Sequence, residues 1–209
     1  MKTKSLPLIL LGLLLLAAAA GLTIHNLNEG KAALENAQEA LVPLQELIAE
    51  RQAEGFLPSQ SESDLLYADA VQSYPEMPVE EIDGRRWLGI LEIPSLSVSL
   101  PVMADWNYDL LLFSPCRFTG SYYEKNLTIC AHNFQTHFYP LLSIPMETDV
   151  YFTNVEGTVF HYRVSNRETV QPTDVADMVD SQGKWDLTLF TCNLGGQTRC
   201  AVRCDQVDD

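Results

Sequence analysis

The chain has 209 residues, 46% of them hydrophobic and 20% charged, with 13 Lys+Arg against 28 Asp+Glu and a formal net charge of −15. This is the size of one ordinary domain plus something extra, and the composition of a globular protein rather than a disordered or fibrous one. The acidic balance excludes nucleic-acid binding through a basic surface, five Cys are odd in number and too few for a disulfide scaffold, and no GxxxxGKS/T, GxGxxG or HExxH motif occurs.

Residues 6 to 24 read LPLILLGLLLLAAAAGLTI, an uncharged run preceded by Lys2 and Lys4. At 1.5 Å per residue it spans roughly 28 Å, close to the ~30 Å hydrocarbon core of a bilayer. A cleaved signal peptide has the same basic start but a shorter apolar core, and the small residues Ala17 to Gly21 would suit a signal peptidase. The length favours an uncleaved anchor over residues 1–24. With the lysines inside, the rest of the chain lies outside the cell membrane.

Residues 25–56 read as a helical stalk, with Leu34, Ala37, Leu41, Leu44 and Ile48 recurring at spacings of three and four. Pro43 falls in its middle and predicts a kink or a split. Residues 57–86 are rich in Ser, Pro and acids with no sustained period, and predict an acidic linker. Across residues 25–86 there are 13 acidic and 4 basic side chains, most simply a solvated surface.

From Trp87 to Asp209 the pattern changes to short β-rich runs between turn residues: LGILEIPSL, VSLPVM, NLTICAH, DVYFTN, TVFHYRVSN, DLTLFTC and TRCAVRC. Seven or eight strands at such spacing predict a mainly β domain, a sandwich or barrel. Asn154-Val155-Glu156-Gly157 predicts a hairpin turn. Short helices are expected at Trp106 to Phe113 and at about Pro172 to Val179, the second capped by Thr173 or Asp174.

Three polar side chains fall at the ends of these runs. His132 closes LTICAHN, Cys192 closes DLTLFTC, and Arg199 opens TRCAVR after six residues that include Gly195-Gly196 and suit a tight hairpin. Strand ends are where a rigid scaffold hands side chains to a cleft. A thiol is a nucleophile only as thiolate and needs a base or cation beside it. An imidazole can move the proton, and a guanidinium can hold an oxyanion or a substrate carbonyl. Taken singly, a strand-end Cys is more often a small buried hydrophobe, and a lone His or Arg is usually structural.

The order and wording of the three runs are more specific. Thr188-Leu189-Phe190-Thr191-Cys192 resembles the TLxTC signature of sortases, the cysteine transpeptidases of Gram-positive cell surfaces. Ala131-His132-Asn133, with Gly120-Ser121 and Asn126 upstream, resembles their histidine strand, and Arg199 with Cys-Ala-Val-Arg resembles their arginine strand. The resemblance covers about Trp87 to Asp209 and implies a closed eight-stranded β-barrel with one or two short helices. It implies Cys192 as nucleophile, His132 as general acid/base and Arg199 as oxyanion or substrate-orienting group, with Thr191 beside the nucleophile and near the substrate. The implied reaction is transpeptidation: a C-terminal LPxTG-like sorting signal on a surface protein is cut through a thioacyl enzyme and passed to an amine, such as that of a cell-wall precursor.

Arg203 shares the strand face of Arg199 by simple alternation and is the weaker candidate for the working arginine. His132-Asn133 resembles class B sortases, whereas the stretch from Asn166 to Asp186 is short for a large class B insertion and the linker has no Asp-Pro-aromatic lid motif, so the class stays open. Two other readings compete: an exported cysteine peptidase that hydrolyses the same kind of bond, and a non-catalytic surface binding module. Cys116, Cys130, Cys200 and Cys204 could form two disulfides in an exported protein, with free buried thiols the favoured state. No cofactor or metal is required; carboxylates alone neither define nor dismiss a calcium site.

Overall fold

The computed structural model describes residues 6–54, 76–179 and 184–207. One helix, α1 (Leu6–Ala53), carries both the apolar run and the stalk. Nine strands follow among the described residues: β1 (Glu80–Ile82), β2 (Arg85–Ile93), β3 (Val98–Met103), β4 (Cys116–Thr119), β5 (Leu127–Cys130), β6 (Asp149–Asn154), β7 (Val159–Val170), β8 (Leu187–Cys192) and β9 (Arg199–Gln206). A short helix, α2 (Val175–Val179), lies between β7 and β8.

The strand order is β1-β2-β3-β4-β5-β8-β9-β7-β6, and a further β2–β6 pairing joins the sheet to itself. Strands β2 to β9 therefore form the closed eight-stranded barrel, and β1 pairs only with the first residues of β2 through the Asp83-Gly84 turn. Closure leaves the eight strands without a free edge. The barrel fills with alternate side chains from each strand. Leu91, Ile93, Leu127, Ile129, Leu187, Leu189 and Val202 are all fully buried, each worth about 1.5–3 kcal/mol of removal from water. β1 falls inside the stretch expected to be linker; residues 57–75 of that stretch lie outside the described residues.

Helix α1 runs through Pro43 without the predicted split. Its barrel-facing side is Gly30, Ala33, Ala37, Ala40, Leu44 and Ile48, and the first four are small enough to let the helix lie close to the barrel. Leu34 and Leu41, expected on the buried stripe, are only half-buried. Contacts on both sides of Pro43 hold the axis: Thr136 Oγ1 donates to Gly30 O at 3.0 Å, and Arg51 Nη1 donates to Val155 O at 2.8 Å. Packing here outweighs the one lost helical hydrogen bond.

The 154–157 hairpin turn forms as expected. Asn154 Oδ1 accepts from the Glu156 and Thr158 backbone N–H groups, and Gly157 takes φ +89°. Of the two expected helices, the first is a 3-10 turn over Leu110–Leu112 whose first N–H is taken by Asn107 Oδ1, and the second shortens to α2.

Candidate active site

The site is assembled by strand pairing. β5 and β8 are parallel and in register, Cys130 opposite Phe190. Both strands therefore leave the barrel at the same end, and His132 lies two residues beyond Cys130 as Cys192 lies two beyond Phe190. On the other side, Cys192 pairs directly with Arg199 across the antiparallel β8–β9 ladder. The three side chains thus belong to three neighbouring backbone segments, cysteine in the middle, with ~4.8 Å between adjacent strands.

The β8–β9 hairpin is held by Asn193 N–H donating to Thr198 O at 2.9 Å and by Asn193 Nδ2 donating to Thr198 Oγ1 at 2.9 Å. Gly195 and Gly196 take φ of +86° and +72°, which the turn requires and a Cβ would strain. Upstream of His132, the Gly120, Ser121 and Asn126 group is a loop lock. Ser121 N–H donates to Asn126 Oδ1 at 2.8 Å, and a Cβ on Gly120 would stand 2.1 Å from Asn126 O.

Thr191 sits next to Cys192 on the wall of the site. It is buried, and its hydroxyl donates to Ala131 O at 2.8 Å, tying β8 to the residue just before His132. Arg203 is also buried, away from Cys192. It pairs across the ladder with Thr188 and donates to Thr188 Oγ1, Glu168 Oε1 and the carbonyls of Asp177 and Met178. Arg199 is the arginine beside the thiol, and its Nη1 rests on its own hairpin carbonyls, Gly196 O at 2.9 Å and Thr198 O at 3.2 Å.

Exposure separates the five cysteines. All are free. Cys116, Cys130, Cys200 and Cys204 are buried, and burial pushes their thiols up, Cys130 to about 12. Such groups stay protonated and inert at neutral pH. Cys192 alone is partly open to solvent. The His132 imidazole stacks against Phe134 with ring centroids 4.9 Å apart. Partial burial lowers its pKa below the ordinary value, and the nearby Glu29 carboxylate of α1 opposes that shift.

A cavity of about 210 Å³ opens onto Cys192, His132 and Arg199. Its wall was missed in the sequence: Tyr108, Trp106, Phe118 and Phe190 form a ladder of edge-on and tilted rings with centroids 4.8–6.0 Å apart, and Val175 and Met178 of α2 close another side. The only hint was an aromatic pair, Trp106 and Tyr108, in a loop with no hydrophobic period. Among the described residues no group of three or more His, Cys, Asp or Glu could hold a metal ion. A partly exposed thiol flanked by an imidazole and a guanidinium, over an apolar cleft, can carry acyl transfer by nucleophilic catalysis.

A family model described as a sortase domain matches residues 91–207. Among solved structures, a sortase D5 transpeptidase from Clostridium perfringens superposes with TM-score 0.58 at 16% identity, covering 83% of this chain and 99% of that one. Sortase C from Streptococcus pneumoniae gives 0.58 at 18% identity, covering 82% and 97%. Sortase A from Corynebacterium diphtheriae gives 0.52 at 17% identity, covering 90% and 96%. No curated protein matches the chain.

Proposed function

The chain belongs to the sortase family, and we propose that it is a membrane-anchored cysteine transpeptidase in which Cys192, His132 and Arg199 perform the chemistry. The observation that carries this reading is the row of three: the one accessible thiol of the chain beside an arginine across one ladder and a histidine across the other.

The Cys192 thiolate attacks the scissile carbonyl of a Thr–Gly-type bond in an LPxTG-like sorting signal. Arg199 turns from the Gly196 and Thr198 carbonyls to the oxyanion, since a permanent cation aimed at developing charge lowers the barrier. His132 gives a proton to the departing amine, leaving a thioacyl enzyme. An incoming amine, such as one on a cell-wall precursor, loses its proton to His132, forms the new amide and releases the thiolate. Surface proteins with C-terminal sorting signals are the substrates. Helix α1, the one described helix long and apolar enough to cross a membrane, is the single anchor, with Lys2 and Lys4 inside and the barrel outside. Thr191 lines the cleft beside the thiol and ties β8 to the Ala131 carbonyl.

Intact mass spectrometry of the full-length chain with a panel of LPxTG-like peptides tests the reading. A mass gain equal to the peptide's N-terminal part, absent in Cys192→Ala and discharged to a ligated product by an added amine, is the expected result. Discharge to hydrolysed peptide with no dependence on amine would make the protein a peptidase. A Cys192 that neither acylates nor alkylates would leave a binding module.

A further inference from the structure

The contacts of α1 fix which end of the barrel faces its apolar segment. Gly30 packs at the His132 end: a Cβ there would lie 3.7 Å from Phe134, Thr136 bonds the Gly30 carbonyl, and Glu29 lies close enough to His132 to act on its charge. At the other end of the contact, Gln52 Nε2 donates to Gly157 O in the β6–β7 hairpin at 2.8 Å. That hairpin adjoins Val159, while Val170 at the far end of β7 pairs with Arg199. Helix α1 rises ~33 Å from Gly30 to Gln52, and β7 runs ~36 Å from Val159 to Val170. The helix therefore follows the full height of the barrel, its N-terminal side at the catalytic end.

From Ile24, the last residue of the apolar run, to Gly30 is only about 9 Å of helix. The polar layer of a bilayer is ~5–7 Å deep on each side, and a tilted helix shortens the gap. Of eight large apolar side chains exposed outside α1 among the described residues, five sit in the segments around the catalytic end: Trp106, Tyr108, Leu112, Val175 and Leu194. Tyr108 and Leu194 are the most open, at 77% and 73%. Trp and Tyr are the side chains that settle at a membrane interface.

We propose that this rim is a lipid-contacting surface, so that the cleft works against the outer face of the bilayer with Trp106, Tyr108 and Leu194 in the headgroup layer. The inference rests on the membrane anchoring proposed above. Apolar and aromatic groups, and not charge, make the contact, because the chain is strongly acidic; the fitting surface is a neutral or zwitterionic one.

The test uses the full-length protein in phosphatidylcholine nanodiscs, with part of the lipid carrying a nitroxide on its headgroup. Trp106 emission, obtained by difference from Trp106→Phe, should fall about twofold with the labelled lipid, as expected for a side chain in the headgroup layer. Trp185, before β8 at the opposite end of that strand from Cys192, is the internal control and should stay bright. Inserting eleven helical residues after Ile24 turns the helix by about three turns and lifts the barrel by ~16 Å; it should abolish the quenching while turnover of a soluble peptide is retained. Trp106 quenched no more than Trp185, or equally quenched after the insertion, overturns the proposal and leaves the aromatic rim to a protein partner. Failure of the full chain to stay with the discs overturns the anchoring reading as well; retention with a bright Trp106 overturns this one alone.

Discussion

Replacing Arg203 by Met separates the clamp from the chemistry. The guanidinium is 1% exposed and donates four times: to Glu168 Oε1 at 2.9 Å, to Thr188 Oγ1 and Met178 O at 3.0 Å, and to Asp177 O. It also lies 4.7 Å over the Trp185 ring. Two of its acceptors are last-turn carbonyls of the five-residue α2, which is too short to be stable alone and relies on such a cation at its C-terminus. Methionine matches the length of the stem and removes every donor. Hydrogen bonds from a charged donor run about 1.5–3 kcal/mol each, but most of that sum is offset because the arginine no longer has to be desolvated and because the half-exposed Glu168 rehydrates. The net loss should be about 2–3 kcal/mol, or roughly 10 °C in Tm for a barrel of this size. Because α2 supplies Val175 and Met178 to the cleft wall, KM for peptide should rise about three- to tenfold while kcat stays within about twofold. Thermal unfolding and steady-state kinetics read the two effects. If kcat collapses as in Arg199→Ala with KM unchanged, Arg203 is the working arginine. If Tm does not move, the clamp argument fails.

Three further outcomes are expected. Thr191→Val keeps the shape but leaves the buried Ala131 carbonyl without its 2.8 Å partner, which should cost about 1–3 kcal/mol and lower kcat more than it raises KM, because His132 is the next residue; unchanged Tm and kcat would refute the strand-tie role. His137 is fully buried, and burial followed by the charge of His132 lowers its pKa to about 4, against an opposing contact with the Ala33 backbone. The native state then binds fewer protons than the unfolded chain between that value and the ordinary 6.5, so stability is whole above about pH 6.5 and falls toward pH 4, by at most about 3 kcal/mol; His137→Phe should flatten this part of the Tm–pH curve. Brief alkylation of the folded protein at neutral pH should label Cys192 alone, and mass mapping that finds Cys116, Cys130, Cys200 or Cys204 labelled at a similar rate would contradict their burial.

The strands that read clearly in the sequence are those whose alternation is set by the barrel interior, such as β5 through β9. β4 escaped because CRFT is four residues long and carries a half-buried arginine. β1 escaped because Glu-Glu-Ile has no apolar alternation; what makes it a strand is the Asp83-Gly84 turn, with both residues at positive φ, folding it onto β2. The expected break at Pro43 failed for the opposite reason, since a local rule met a long tertiary contact. The catalytic candidates were legible only through the resemblance, for nothing in the residue types at positions 132, 192 and 199 distinguishes them from ordinary strand-end side chains. What brings them together is the parallel β5–β8 pairing and the β8–β9 ladder, and pairing partners sixty residues apart leave no local mark. Thr191 drew notice for its neighbour Cys192, whereas the tie of its own hydroxyl to Ala131 O, sixty residues away, left no mark in the sequence.

That parallel pair also governs when the protein can become reactive. Cys130 meets Phe190 only after the sixty residues between them have been folded around the barrel, a contact of high sequence separation whose closure entropy must be overcome late and at once. Before it closes, the thiol has only the Arg199 supplied by the local β8–β9 hairpin and no imidazole to move its proton. On the function proposed above, a chain still folding therefore lacks the group that would protonate the departing amine. Competence arises in one step with completion of the barrel, so recovery of Cys192 reactivity during refolding should coincide with the slowest structural phase and have no earlier component.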